Sequence, residues 1–135
     1  MVASIYDAFE TDGDLCAEGV WFAVSLPGGA ECRFKVQPTD IDLNPAVRAA
    51  VVEYGLALAA KGEEADEEAL KPKTLAVACT DWENVNGRDG KPLKCTEANK
   101  LQVFTDLPKL TSQVLRYSNN WRNFLAQRAE DIAGN

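Results

Sequence analysis

Residues 19–37 alternate in polarity with period two on either side of a Pro27-Gly28-Gly29 interruption, and this restricts the fold more than any other stretch. In an extended chain successive side chains point to opposite faces. Val20, Phe22, Val24 and Leu26 therefore share one face, and Trp21, Ala23 and Ser25 share the other. After the turn, Cys32, Phe34 and Val36 point inward, and Glu31, Arg33, Lys35 and Gln37 point outward. The spacing predicts a β-hairpin over 18–37 with one wet face. Two strands alone are marginal in water, so a third strand or a set of helices must cover the apolar face.

Helices are available downstream. Asn44 as N-cap and Pro45 at the first helical position open a helix over 44–61, which Gly62 ends. Its apolar stripe is Val47, Ala50, Val51, Tyr54, Ala57 and Leu58, the spacing of a core-facing surface. The like-charged run from Glu63 to Glu68 reads as a solvated acidic linker over 62–72. Pro72 then restarts a helix from Lys73 to about Thr80, closed by Trp82.

The remainder, 73–132, is expected to be helical apart from a Gly-turn loop at 84–92. Asn86-Gly87 and Asp89-Gly90 are strong turn signals, so Trp82–Val85 and Pro92–Lys94 are candidates for a small second hairpin. The loop is either a recognition loop or a connector, and the connector is the simpler reading. Thr96 caps the next helix. Asp106 with Pro108 opens the last and longest, to about Ile132, with Leu110, Val114, Tyr117, Trp121 and Phe124 along one side. At about 1.5 Å per residue it would be on the order of 35 Å long. The expected architecture is α+β: one domain over 1–135, with an amino-terminal antiparallel hairpin or small sheet packed by four to five helices.

Composition removes several function classes. With 21 acidic and 14 basic side chains the formal net charge is −7, which disfavours nucleic acid and anionic membranes as partners. There is no histidine, the commonest general base and zinc ligand near neutral pH. No Ser-x-x-Lys, Gly-x-Ser-x-Gly or phosphate-loop motif is present. Asp81 and Glu83 flank Trp82 but, at the end of a helix, would point to different faces. Asp12 and Asp14 lack the further ligands of a calcium loop. Cys16, Cys32, Cys79 and Cys95 form no Cys-x-x-Cys pair, so a zinc site has little support. Four reduced thiols, several of them core fillers, are the plain reading. The amino terminus has neither the basic region nor the long apolar run of a signal peptide or anchor. No enzyme, cofactor, metal, nucleic-acid or membrane role is expected.

One likeness covers roughly residues 17–128. It rests on the apolar run into Trp82, the loop Asn86-Gly87-Arg88-Asp89-Gly90-Lys91-Pro92, and Thr96 followed by Asn99. It continues through Asp106-Leu107-Pro108-Lys109-Leu110 and the aromatic helix ending in Asn123-Phe124, with Gly19-Val20-Trp21, Arg33-Phe34-Lys35-Val36 and Asn44-Pro45 in the amino-terminal half. Together these residues resemble the small tail assembly chaperones of long-tailed bacteriophages. The resemblance implies a non-enzymatic protein that binds the apolar, helical tape-measure protein, keeps it soluble and helps recruit tail-tube subunits. It would act in the bacterial host cytoplasm and be absent from the finished virion. Tyr117, Trp121 and Arg122 on the last helix, with Arg33 and Lys35 on the open hairpin face, are the candidate partner-binding residues, and exposed hairpin edges could pair copies into a homo-oligomer. Tyr117, Trp121 and Phe124 admit two readings, core packing or a partner groove, with core favoured for Trp121 and Phe124. Two rival functions stay open: a structural virion protein of the tail or head-tail connection, and an acidic nucleic-acid mimic that inhibits a host enzyme.

Overall fold

A computed structural model of the chain describes residues 4–126. The hairpin forms as its alternation requires. β1 (Val20–Ser25) pairs antiparallel with β2 (Glu31–Val36), in a register that sets Phe22 opposite Phe34 and Ala23 opposite Arg33. A third strand, β3 (Cys79–Glu83), pairs antiparallel with β2, giving the order β1-β2-β3. Phe34 and Val36 are fully buried on the inner face, as their period-two positions demand.

Two short helices precede the sheet: α1 (Ile5–Phe9), closed by a Ser4/Asp7 capping box, and α2 (Gly13–Glu18), capped by Asp12. Gly19 then feeds β1 at φ +92, where an added Cβ would lie 2.9 Å from the Val36 carbonyl oxygen. Only glycine meets both conditions without strain. α3 (Pro45–Ala60) starts where Asn44 caps it, its side-chain oxygen accepting from the Ala46 and Val47 N–H groups. α4 (Glu67–Ala78), α5 (Glu97–Asp106) and α6 (Pro108–Ser118) complete the described helices. Thr96 caps α5 as expected, accepting from Asn99 N–H at 3.1 Å.

The core lies between the inner sheet face and the α4–α6 layer. Phe34 is its centre, meeting Trp82 edge-on at 6.2 Å and Phe104 tilted at 5.9 Å between ring centroids. Leu75, Cys79, Val114 and Cys32 close around them. Polar groups in this interior are paired. Thr111 donates to the Phe104 carbonyl at 2.6 Å, and Thr39 and Ser118 share a hydroxyl hydrogen bond at 3.2 Å. Among the described residues no buried side-chain nitrogen or oxygen lacks a partner.

Several sequence expectations are corrected. The acidic linker 62–72 is shorter than expected, because Asp66 caps a helix that already begins at Glu67. Carboxylates suit a helix amino terminus, so Glu67 and Glu68 form the first turn and Pro72 falls inside α4. The helix expected to run to about Thr80 ends at Ala78, and Trp82 does not close it. Trp82 lies on β3 opposite Phe34, so 73–132 is not helical throughout. As strand residues two apart, Asp81 and Glu83 share the outer face, opposite Lys35 and Arg33, instead of diverging.

Asp106 does not cap the last helix. It ends α5 and accepts from Gln102 at 2.9 Å, while Leu107 precedes α6 without a side-chain cap. The last helix stops at Ser118, far short of Ile132. Asn119 and Asn120 break it, and Asn120 caps a 3-10 turn at Trp121–Phe124. The 127–132 part of that expectation lies outside the described residues. The second hairpin survives in minimal form, with Leu93 N–H donating to the Val85 carbonyl at 2.9 Å and Asn86 bridging Pro92.

Candidate docking surfaces

The five candidate residues fall in three places: Arg33 and Lys35 on the sheet's outer face, Tyr117 against Phe22, and Trp121 with Arg122 beside α1. Arg33 and Lys35 stand on the outer face with Trp21. Arg33 pairs with Glu83 at 3.2 Å, its guanidinium carbon 5.1 Å from the centroid of the Trp21 ring, and Lys35 lies in register with Asp81. The outer face is therefore a ladder of opposite charges, with less positive potential than the β2 sequence suggests.

Tyr117 is on the inner side, stacked on Phe22 with ring centroids 4.5 Å apart. Trp121 stacks on Phe9 of α1 at 5.1 Å, and the Arg122 guanidinium carbon lies 5.2 Å from the same indole. This aromatic pair closes a clasp between the two ends of the described chain. Asp12 N–H donates to the Phe124 carbonyl at 2.8 Å, and Ala126 N–H donates to the Glu10 carbonyl at 2.9 Å. Arg122 is exposed, whereas Tyr117 and Trp121 are half-buried and already engaged within the chain.

Exposed apolar side chains occur at Ile5, Tyr6 and Phe9 of α1, where Phe9 carries the Trp121 stack, and along one side of α3. The stripe read from the sequence turns inward as expected at Val47, Ala50, Val51, Tyr54 and Leu58, although Ala57 is exposed. Lys73 of α4 lies over the Tyr54 ring at 5.2 Å, tying the two helices together. The opposite side of α3 carries Ala46, Ala49, Val52, Leu56, Ala59 and Ala60, all exposed, with Val52 54% and Leu56 67% open to solvent. Arg48 and Glu53 are the only charged residues in its sixteen positions. An all-round apolar helix is ordinarily buried on every side, and this one is covered on one. The signal was present in the sequence as a second apolar row at spacings of three and four.

Two concavities adjoin the helices. An open groove of about 780 Å³ runs between α4 and α6, lined by Leu70, Thr74, Leu115 and Arg116. A smaller apolar hollow of about 370 Å³ lies between the hairpin tip and α5–α6, with Leu26 and Leu107 at its mouth. The four cysteines are free thiols. Burial pushes the Cys79 thiol up to about 12, and Cys95 beside it adds to the shift. Cys79 donates to the Asp81 carbonyl at 3.3 Å, and Lys100 donates to the Cys79 carbonyl at 2.7 Å. Among the described residues no group of three or more Cys, Asp or Glu side chains is arranged to hold a metal ion. No helix of the described residues is long and apolar enough to cross a membrane.

A small acidic α+β domain with an uncovered apolar helix is the class that these features define. By sequence the chain belongs to the YdaY prophage protein family, whose model matches residues 58–135, so the protein is phage-derived. No curated protein and no solved structure matches it.

Proposed function

We propose that this protein is a non-enzymatic phage tail assembly chaperone that covers apolar helical stretches of the tape-measure protein in the host cytoplasm, helps recruit tail-tube subunits, and is absent from the finished virion. The uncovered side of α3, with Val52 and Leu56 standing in solvent, is the observation that carries this reading. Apolar surface of that kind on a soluble chain favours a protein partner, and a helix offered to a partner helix is a recurring recognition mode. The net charge of −7 would keep such a complex dispersed. Membership in a prophage family and the resemblance over residues 17–128 support the same assignment.

The test is co-expression with the phage's long, coiled-coil-rich tape-measure protein. The large protein should be soluble and co-purify only when this chain is present, and this chain should be missing from purified virions by mass spectrometry. A tape-measure protein that stays insoluble, or is soluble alone, removes the chaperone function. Recovery of the chain in many copies per particle would make it a structural tail component instead.

A further inference from the structure

We propose that the open side of α3 and the carboxylates just beyond its end form one directional docking surface. Its occupant is a helix of the partner that is apolar along one side and basic at one end. The partner's nature rests on the chaperone reading; the location and direction of docking go beyond it.

Ala49, Val52, Leu56 and Ala59 or Ala60 recur every three or four residues along about three turns, the row a second helix needs. The alanines leave room for close approach of the two axes around the larger Val52 and Leu56. Past Lys61, the acidic block Glu63, Glu64, Asp66, Glu67 and Glu68 is exposed throughout. Part of it serves α4, since Asp66 caps that helix, Glu67 lies in its first turn and Glu68 binds Lys71 at 2.8 Å. Glu63 and Glu64 have no such role: among the described residues neither carboxylate reaches a basic group. The negative end of the α3 dipole points toward the same place.

The same charges disfavour a second copy as occupant. The other end of α3 carries Arg48, bound to Asp42 at 3.6 Å, with Asp40 close by, so it is also net negative. Antiparallel pairing of two α3 helices would set each acidic block against that end, and parallel pairing would set the two blocks side by side. A foreign helix with a basic end meets neither repulsion.

The experiment uses the whole protein and two synthetic helical peptides of α3's length. Both have the same Leu/Ala face, one ending in a cluster of Lys and the other in a cluster of Glu. By fluorescence anisotropy the Lys-ended peptide should bind at least about tenfold more tightly, with the gap narrowing in high salt. Leu56→Glu should weaken that binding by about tenfold or more while keeping the unfolding midpoint. The double change Glu63→Lys with Glu64→Lys should abolish the preference between peptides.

Equal binding of the two peptides, binding of neither, or indifference to Leu56→Glu overturns the proposal. A dimer in sedimentation that Leu56→Glu dissociates also overturns it, because the face then belongs to a second copy. Co-expression separates this from the function. If Leu56→Glu still keeps the tape-measure protein soluble, the chaperone reading stands and this surface falls. If the unaltered chain fails there, the chaperone reading falls and the peptides alone decide the surface.

Discussion

Phe22 of β1 and Tyr117 of α6 stack nearly parallel, with ring centroids 4.5 Å apart and planes 14° from each other. The pair fastens the first strand to the last described helix, far apart in sequence, and makes Tyr117 part of the fold before any partner arrives. Each ring borders the central cluster around Phe34.

A double-mutant cycle should find this coupling. Phe22→Leu and Tyr117→Leu are each expected to destabilise the protein by about 1–3 kcal/mol. The coupling between them should be about 0.5–1.5 kcal/mol, the range for stacked aromatic pairs beyond buried area. Urea unfolding of both single variants and the double variant measures it, and additive losses would mean the stack adds nothing specific.

Trp121 should behave as a clasp residue. Trp121→Ala removes the stack on Phe9, so amide exchange should rise over residues 4–18 while the β2 amides stay protected. Global unfolding with equal loss of protection in β2 would instead place Trp121 in the central core.

Gly19 is a point of backbone conflict for any other residue. Gly19→Ala combines a positive φ with a Cβ 2.9 Å from the Val36 carbonyl oxygen, at the junction of α2 and β1. A loss of about 1–3 kcal/mol or more is expected, read from the thermal midpoint. Gly28→Ala is the control: its φ is also positive, but nothing lies within 4 Å of the added atom, so the loss should be smaller.

Cys79 should make stability fall at alkaline pH. Its thiol is raised from an ordinary 9.0 to about 12 by burial and by Cys95, so the folded state holds the proton more tightly than the unfolded chain. The stabilisation is complete below pH 9 and is lost progressively as pH rises toward about 12, on the order of 1 kcal/mol per pH unit. Urea midpoints from pH 8 to 11 should fall less steeply in Cys79→Ala than in the unaltered protein. Parallel slopes would mean that the thiol does not titrate on unfolding.

Local chemistry made much of the chain readable. Pro27-Gly28-Gly29 between two alternating runs specified the hairpin, because side-chain alternation assigns each residue to a face. Asn44 and Thr96 announced their helices, since an N-cap needs only a side-chain oxygen beside its own backbone N–H groups. The second apolar row of α3 was equally present in the sequence, but its exposure was not: a row of alanines and leucines reads the same whether or not another element covers it.

What the sequence determined alone was whatever neighbouring residues settle between themselves: the hairpin and its two faces, the Asn44 and Thr96 caps and the acidic composition. Only the tertiary structure decided that the run after Ala78 becomes β3, because an extended Cys79–Glu83 puts Trp82 against Phe34 and completes the β2 hydrogen bonds. The tertiary structure also set Tyr117 against Phe22 and Trp121 against Phe9, and placed Arg33 and Lys35 opposite acids of a distant strand. These outcomes depend on which distant groups meet, and no local pattern of caps or periodicity encodes that meeting.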